Sequence, residues 1–189
     1  MAITDRAPST ERLMTAEEAA QLSTVNRRFE LVKGAYVTMS PAGKKHGKIA
    51  NKIAFLLTRH VVQNHLGEIA AAETGFLLAR KPDTVRGADV AFLSKERAAQ
   101  DDASAAYWTV APDLAVEVVS PNDDPDEVQQ KVEDYLAAGT RMVWVVYPKP
   151  RSITVYRSLT DIKVRRGADP LTGEDVLPGF ECQVSEVFE

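Results

Sequence analysis

The chain has 189 residues, 44% of them hydrophobic and 26% charged, which is typical of one soluble globular domain. Its formal net charge of -4 argues against a general nucleic-acid coat protein, although local binding of a polyanion stays open. A single cysteine, Cys182, excludes a disulfide framework or a cysteine zinc site within one chain and favours a cytoplasmic location. No stretch reaches the roughly 20 apolar residues of a membrane span, and the N-terminus lacks a signal-peptide core, so we expect no membrane partner.

The N-terminal region predicts a tail, a short helix and a hairpin. Residues 1–13 are polar and unpatterned, and we expect a flexible tail there. Thr15 and Glu18 have the spacing of a capping box, which predicts the start of a helix. Residues 29–39 contain two strand-like runs around Gly34, which predicts two paired strands.

A long helix and three strands should follow. Residues 46–64 carry apolar side chains at helical spacing, and Gly67 suits the end of that helix. The runs 68–79, 86–93 and 114–119 have the apolar, β-branched character of strands.

The last third begins with a second helix. Asp124 is its predicted N-cap, with proline at the next position, and Gly139 ends it. Residues 142–147 form a strongly apolar strand, and 153–156 predict another strand nearer an edge of the sheet. Residues 177–180 open a short C-terminal tail.

The order of these elements predicts the architecture. The two most apolar strands, 114–119 and 142–147, flank the second helix, so this helix should cross over between parallel neighbours. The sequence contains no repeat and no linker that would justify a second domain. The predicted fold is α/β, a mixed β-sheet flanked by helices, in a single domain over residues 14–189.

Two acidic residues stand inside runs that should be buried. Glu117 lies in the strand 114–119, and Asp89 lies in the apolar run 88–93. A buried carboxylate costs several kcal/mol unless it is paired, protonated or bound to a metal. Two strands that bring acids to the same edge can hold a divalent cation, with the main-chain carbonyl of Val118 as a further ligand. The alternatives are a turn or salt bridge for Asp89 and an arginine partner for Glu117.

Lys131 borders the buried face of the second helix. At about 100° per residue it lies beside Tyr135 at the rim of the apolar stripe, so its side chain can extend towards Glu117. Two carboxylates suit Mg²⁺, with Mn²⁺ as a substitute, and such a metal would polarise a phosphodiester and activate water. The lysine would position that water or stabilise charge on the phosphate. The alternative is a surface ion pair with Glu127.

An ordered series of segments covers nearly the whole chain after the tail. The segments are 28–34, 39–41, 46, 85–92, 111–121, 131–139, 144–146 and 177–180. Each segment alone is weakly specific, but in this order they resemble the Uma-two (Uma2) family of restriction-endonuclease-like proteins, within the PD-(D/E)XK nuclease superfamily.

The resemblance implies a restriction-endonuclease-like fold and a metal-dependent endonuclease that hydrolyses nucleic-acid phosphodiester bonds. Asp89 matches the first acid of the motif and Glu117 the second. Ala88 replaces the motif's proline, which supplies no ligand. Val119 stands where the motif's lysine is expected, and Lys131 matches the lysine that the family carries on the following helix.

The resemblance adds Glu30 and His46 as candidate catalytic residues. The alternative for Glu30 is a half-buried strand acid, and the alternative for His46 is a solvated basic turn. The resemblance also implies nucleic acid, expected to be DNA, as the partner and a homodimer as the assembly. Two functions of another class stay open. The domain could be a non-catalytic module for protein interaction, or it could bind nucleic acid without cleavage.

Overall fold

A computed structural model of the chain describes residues 12–22, 29–121 and 123–189. The helices in these ranges are α1 Ala16–Leu22, α2 Lys44–Asn64, α3 Lys95–Ala98, α4 Pro125–Ala137 and α5 Val184–Val187. The strands are β1 Phe29–Val32, β2 Ala35–Thr38, β3 Gly67–Ala79, β4 Thr84–Ser94, β5 Leu114–Val118, β6 Met142–Tyr147, β7 Ser152–Tyr156, β8 Ile162–Arg166, β9 Pro170–Thr172 and β10 Glu181–Gln183.

Eight strands form one mixed sheet. Seven of the strands follow the order β2-β1-β4-β5-β6-β7-β8. Strand β3 pairs with one edge of β4, and both β1 and β5 pair with the opposite edge. Strands β5 and β6 run parallel, and α4 connects them, which confirms the predicted crossover. The helices cover both faces of this sheet, so the predicted α/β fold class is confirmed.

Alternation along β5 and β6 separates the two faces of the sheet. One face packs against α2 through Leu114, Val116, Val118, Met142, Trp144 and Val146. The other packs against Val132 and Tyr135 of α4 through Ala115, Val143 and Val145. Because successive strand residues point to opposite faces, Glu117 points towards α4 together with Ala115.

One edge of β4 is shared by two strands. Leu31 of β1 pairs with Val85, whereas Val116 of β5 pairs with Val90. Residues 86–89 therefore lie between the ends of two partner strands, where the ladder of backbone hydrogen bonds is interrupted. This opening gives side chains from β1, β4 and β5 access to one place.

Helix α4 begins and ends as predicted. The Asp124 carboxylate accepts the N–H of Asp126 at 2.8 Å, Pro125 occupies the first turn, and Gly139 follows the helix with φ of 93°. These signals fix the register of the helix, and with it the side chains that face the sheet.

Helix α2 has the predicted apolar stripe and ends at the predicted residue, Asn64, but its cap is not Gly67. His65 takes the left-handed conformation after the helix, with φ of 53°. Gly67 instead begins β3, with φ of 154° and a backbone so close to β4 that a Cβ would collide with the Leu93 carbonyl oxygen. The glycine is required for this close approach of strands, so its prediction as the helix end was wrong.

The C-terminal region is more ordered than a tail. Strand β9 pairs with β10, and α5 buries Val184 and Val187 against the α2 face of the sheet. Strand β8, which no sequence signal predicted, has exposed Ile162 and Val164, so its pattern lacks a buried apolar face.

At the N-terminus, the capping box is confirmed. The Thr15 hydroxyl accepts the N–H of Glu18 at 3.2 Å, and the Glu18 carboxylate accepts the N–H of Thr15 at 3.0 Å. Most of the predicted tail, residues 1–11, lies outside the described residues, whereas Arg12 pairs with Glu18. No helix in the described ranges is long and apolar enough to cross a membrane.

Candidate active site

Three buried acids meet at the interrupted edge of β4. Glu30 of β1, Asp89 of β4 and Glu117 of β5 are 3%, 7% and 7% exposed. We call these three residues the acidic cluster. Lys131 of α4 and His46 of α2 reach it from opposite faces of the sheet. The structure thus brings together all five candidate catalytic residues.

Glu117 lies deepest against α4. Its Oε1 accepts a hydrogen bond from the Tyr135 hydroxyl at 3.0 Å, and its Oε2 lies 3.2 Å from Lys131 Nζ. Burial, opposed by Lys131 and reinforced by the charges of Asp89 and Glu30, raises the pKa of Glu117 from 4.5 to about 7. The ionised form is therefore poorly compensated, and a further positive charge nearby would stabilise it.

Lys131 bridges two acids. Its ammonium lies 2.9 Å from Glu30 Oε1 and 3.2 Å from Glu117 Oε2. Burial opposes its charge, but these two carboxylates raise the pKa of Lys131 above the ordinary value, so it carries a proton at neutral pH. The predicted alternative, a surface pair with Glu127, is not what the geometry provides.

Both carboxylate oxygens of Glu30 have partners. Its Oε2 accepts from Arg86 Nη1 at 2.8 Å, and its Oε1 accepts from the Gly87 N–H at 3.1 Å as well as from Lys131. Although burial acts in the opposite direction, Lys131 and Arg86 lower the pKa of Glu30. This acid is therefore a fixed negative charge.

Arg86 extends the network to α4. Its Nε and Nη2 donate to Asp134 Oδ2 at 2.8 and 2.6 Å, and Gln130 donates to the other oxygen of Asp134 at 3.0 Å. Asp134 lies one helical turn after Lys131, so both residues face the sheet. One arginine therefore links β4, β1 and α4.

Asp89 is bound by a helix and by the neighbouring strand. The N–H of Val118 donates to Asp89 Oδ2 at 2.7 Å, and His46 Nε2 lies 3.1 Å from the same oxygen. The hydrogen bond with Asp89 raises the pKa of His46, partly offset by burial. Both of these contacts go to Oδ2.

His46 carries an unsatisfied atom. Its Nδ1 is buried and has no hydrogen-bond partner among the described residues, while its side chain is 11% exposed. Buried polar atoms of this kind are few in native proteins and call for a physical reason. Any partner of Nδ1 would lie on the side of the ring away from Asp89, because Nε2 faces that carboxylate.

The donor set fits a small, hard dication. Carboxylate oxygens are the preferred ligands of Mg²⁺, and the under-compensated Glu117 stands beside Asp89. Two side chains, not a cage, are available, because no group of three or more His, Cys, Asp or Glu residues in the described ranges is arranged to hold a metal. A cation here would need further oxygens from the main chain, water or substrate.

Sequence reasoning missed Arg86, Asp134 and the hydroxyl of Tyr135. Arg86 interrupts an apolar strand three residues before Asp89, as Glu117 interrupts its own strand. Asp134 and Tyr135 follow Lys131 at helical spacing, so they share its face. These signals were present, but only the sheet order decides which carboxylate each side chain meets.

A separate open cavity lies beside β9, β10 and α5. It has a volume of about 550 Å³ and is lined by Ala168, Pro170, Glu181, Cys182, Gln183 and Glu186. Burial raises the pKa of the Cys182 thiol to about 11, so this thiol is not a ready nucleophile. None of these residues belongs to the acidic cluster, and the chemistry of the cluster identifies it as the better candidate site.

Comparison with known proteins agrees with the predicted resemblance. Residues 16–185 match the model of the Uma2 family, which is described as “Putative restriction endonuclease”. A solved structure from Anabaena variabilis ATCC 29413, described as “a putative nuclease belonging to DUF820”, is similar with a TM-score of 0.80 at 18% identity, over 93% of this chain and 97% of that chain. At this identity the likeness shows the fold. No curated protein matches the chain.

Proposed function

Because the chain belongs to the Uma2 family, described as “Putative restriction endonuclease”, we propose that it is a metal-dependent endonuclease that hydrolyses nucleic-acid phosphodiester bonds. The observation that carries this proposal is the acidic cluster. Glu117 is buried with a pKa of about 7 next to Asp89, at an opening in the sheet edge. Titratable groups that are perturbed by burial and by like charges are concentrated at functional sites.

Asp89 and Glu117 are the proposed ligands of Mg²⁺, for which Mn²⁺ would substitute. The N–H of Val118 points to Asp89, and in an extended strand the carbonyl of a residue points to the same edge as its N–H. The Val118 carbonyl is therefore the proposed third protein ligand. A dication held there would supply Lewis acidity towards the phosphate and would lower the pKa of a bound water.

Side chains of the chain itself would do the rest of the work. Lys131, with its proton retained, would place positive charge against the phosphate or orient the attacking water. His46 would fix the rotamer of Asp89 through Oδ2 and direct its Oδ1 to the ligand. Glu30 would keep Lys131 in place from the side opposite to Glu117.

DNA is the proposed substrate, and a homodimer is the proposed assembly. A net charge of -4 gives little long-range attraction to a polyanion, so binding would depend on the cation and on nearby basic side chains. Lys44, Lys45 and Lys48 occupy the first turns of α2, which also carries His46. They place positive charge on the helix that approaches Asp89.

The decisive test is cleavage of duplex DNA, single-stranded DNA and RNA with Mg²⁺, Mn²⁺ or a chelator. Wild type should cleave at least one substrate in the presence of the cation, and Asp89→Ala and Glu117→Ala should not. Asp113→Asn is the matched control, because Asp113 is also a buried acid but lies at the other end of β5. Wild-type rates in either site variant would refute the assignment.

A second test needs no substrate. Crystals soaked in millimolar Mn²⁺ should show an anomalous peak between Asp89 and Glu117 in the wild type and none in Asp89→Ala. An ion bound elsewhere in both proteins would count against the ligand assignment.

The acidic net charge, which gives little attraction to DNA, favours one alternative, a non-catalytic module for protein interaction. A second alternative is a module that binds nucleic acid without cleavage. Binding of nucleic acid would then weaken with salt and would survive the Asp89→Ala change. Cleavage that depends on Asp89 would exclude this alternative.

A further inference from the structure

Arg86 is the most deeply placed cation near the acidic cluster, with an exposed fraction of only 5%. It touches neither Asp89 nor Glu117 in any described contact, and instead its guanidinium binds Glu30 on one side and Asp134 on the other. Burying a charged arginine carries a large desolvation cost, which its two carboxylate partners offset. Because the burial of Arg86 is so costly, we expect this residue to do more than form a single ion pair.

The two oxygens of Glu30 divide their partners. Oε2 is bound by Arg86 at 2.8 Å, whereas Oε1 is bound by Lys131 at 2.9 Å and by the Gly87 N–H at 3.1 Å. The orientation of the Glu30 carboxylate is thus fixed by β4, through Arg86 and Gly87. That orientation decides where Oε1 can hold the ammonium of Lys131.

The second contact of Arg86 acts on the helix that carries Lys131. Two donors of the guanidinium converge on Asp134 Oδ2, at 2.8 and 2.6 Å. The planar guanidinium can bind two carboxylates at once with fixed geometry, which an ammonium cannot do. Arg86 therefore locates both the backbone of α4, at Asp134, and the acceptor of the Lys131 side chain, at Glu30.

We propose that Arg86 is a positioning residue which, through Glu30 and Asp134, holds the Lys131 ammonium against Glu117. The inference rests on the proposed function for its consequence in catalysis. The proposed geometry itself is testable without any substrate. An arginine that only attached α4 to the sheet would stabilise the fold, but its contribution would not depend on Lys131.

The first experiment is a mutant cycle measured as the midpoint of thermal unfolding. Arg86→Gln and Lys131→Met should each lower the midpoint, and the double variant should lose less than the sum of the two losses. If Arg86 holds Lys131 in place, its loss already removes part of what Lys131 contributes, so less is left for the second change to remove. In a Glu30→Gln background this coupling should shrink, because the shared carboxylate is gone.

A matched control pairs Lys131→Met with Arg97→Gln. Arg97 is another arginine that holds a buried acid, since its Nε lies 3.4 Å from Asp113. Its partner is at the opposite end of β5, so the two losses should add. If Arg86→Gln does not fold, Arg86→Lys takes its place in the cycle, because a lysine keeps the charge but lacks the rigid fork that fixes Glu30 and Asp134 relative to each other.

The second experiment measures cleavage and metal binding by the folded variants. Arg86→Lys should lower kcat about 10- to 100-fold with little change in KM, because Lys131 is displaced from its working position. Its affinity for Mn²⁺ should stay close to that of the wild type, because Asp89 and Glu117 are intact. Arg97→Gln should keep the wild-type kcat.

Losses for Arg86 and Lys131 that reach or exceed their sum, or a coupling that is unchanged in the Glu30→Gln background, would overturn the proposed link. An unchanged kcat in a variant whose cycle shows the coupling would overturn the role of Arg86 in catalysis. A wild-type protein that cleaves no substrate refutes the proposed function instead, and the unfolding cycle still decides whether Arg86 holds Lys131.

Discussion

The two ends of β5 each bury an acid, but they treat it differently. Asp113 directly precedes the strand and is 2% exposed, whereas Glu117 lies near its other end and is 7% exposed. Burial by itself therefore does not mark a functional carboxylate. The difference lies in what surrounds each acid.

Asp113 has ample compensation. Its Oδ2 accepts the Ser94 N–H at 2.8 Å, and its Oδ1 lies 3.4 Å from Arg97 and 3.6 Å from Arg141. One buried carboxylate thus faces one backbone donor and two guanidinium groups that reach solvent. Such an arrangement ties the α3 loop and the start of β6 to the strand, which is a structural role.

Glu117 has the opposite balance. It shares the single ammonium of Lys131 with Glu30, and Asp89 adds a further negative charge to its surroundings. An excess of carboxylates over cations is unfavourable for the protein alone, and it becomes favourable when a dication enters. Charge imbalance, rather than burial, therefore marks the candidate site.

The largest expected effect is on cleavage. Glu117→Gln should reduce the rate more than about a hundredfold, because even residues behind a metal ligand contribute about 10- to 100-fold. Asp113→Asn should leave the rate close to that of the wild type, because the described side-chain partners of Asp113 lie outside the acidic cluster. Initial rates on the substrate found for the wild type measure both, and equal losses would remove the distinction between the two ends.

The next effect is a pH dependence of stability at the Glu117 end. In cation-free protein the pKa of Glu117 is about 7 when folded and 4.5 as an ordinary value, so the folded state binds more protons between these limits. The stabilising contribution is complete below pH 4.5 and is lost as the pH rises through 7. Glu117→Gln mimics the protonated acid, so its free energy of unfolding should gain on that of the wild type by a few kcal/mol across this window.

Urea unfolding of both proteins between pH 4.5 and 8 measures this difference. Taking the difference removes much of the contribution of His46, which titrates in both proteins and whose pKa is raised in the fold. A difference that stays constant with pH would contradict the assignment of a raised pKa to Glu117.

A smaller effect should separate the other end. Asp113→Asn should lower the free energy of unfolding at neutral pH by about 1–3 kcal/mol, because it weakens the acceptor of a buried N–H and leaves two arginines without their carboxylate. Denaturant titration checks this value, with Arg141→Gln as a milder companion because Arg141 is 40% exposed. No loss of stability would mean that Asp113 is not the tie that its contacts indicate.

The smallest expected effect concerns Tyr135. Tyr135→Phe removes only the hydroxyl that donates to Glu117 Oε1 at 3.0 Å, so we expect a loss of about 1 kcal/mol in the free energy of unfolding. Binding of Mn²⁺, followed by calorimetry, should persist because both proposed ligands remain. Loss of Mn²⁺ binding would mean that the Tyr135 hydroxyl is needed to hold Glu117 in position for the metal.

Local patterns predicted most of the framework. The apolar run of β5, the stripe of α4 and the cap of α4 at Asp124 are all found. The run marks a strand buried on both faces, the stripe marks the buried face of the helix, and the cap marks where the helix begins. The prediction for Gly67 was wrong because a glycine after a helix can serve either as the helix end or at a close contact between strands. Strand β8 was missed because its exposed Ile162 and Val164 carry no buried face to reveal it.

The amino-acid sequence by itself determined that acids stand in apolar strands and that Lys131 borders the buried face of a helix. The ion pair between Glu30 and Arg86, which are 56 residues apart, and the sharing of Lys131 between Glu30 and Glu117 became visible only in the folded structure. The physical reason is range. Periodicity and capping act within a few residues, whereas the meeting of distant charges depends on the order of strands and on the interrupted edge of β4.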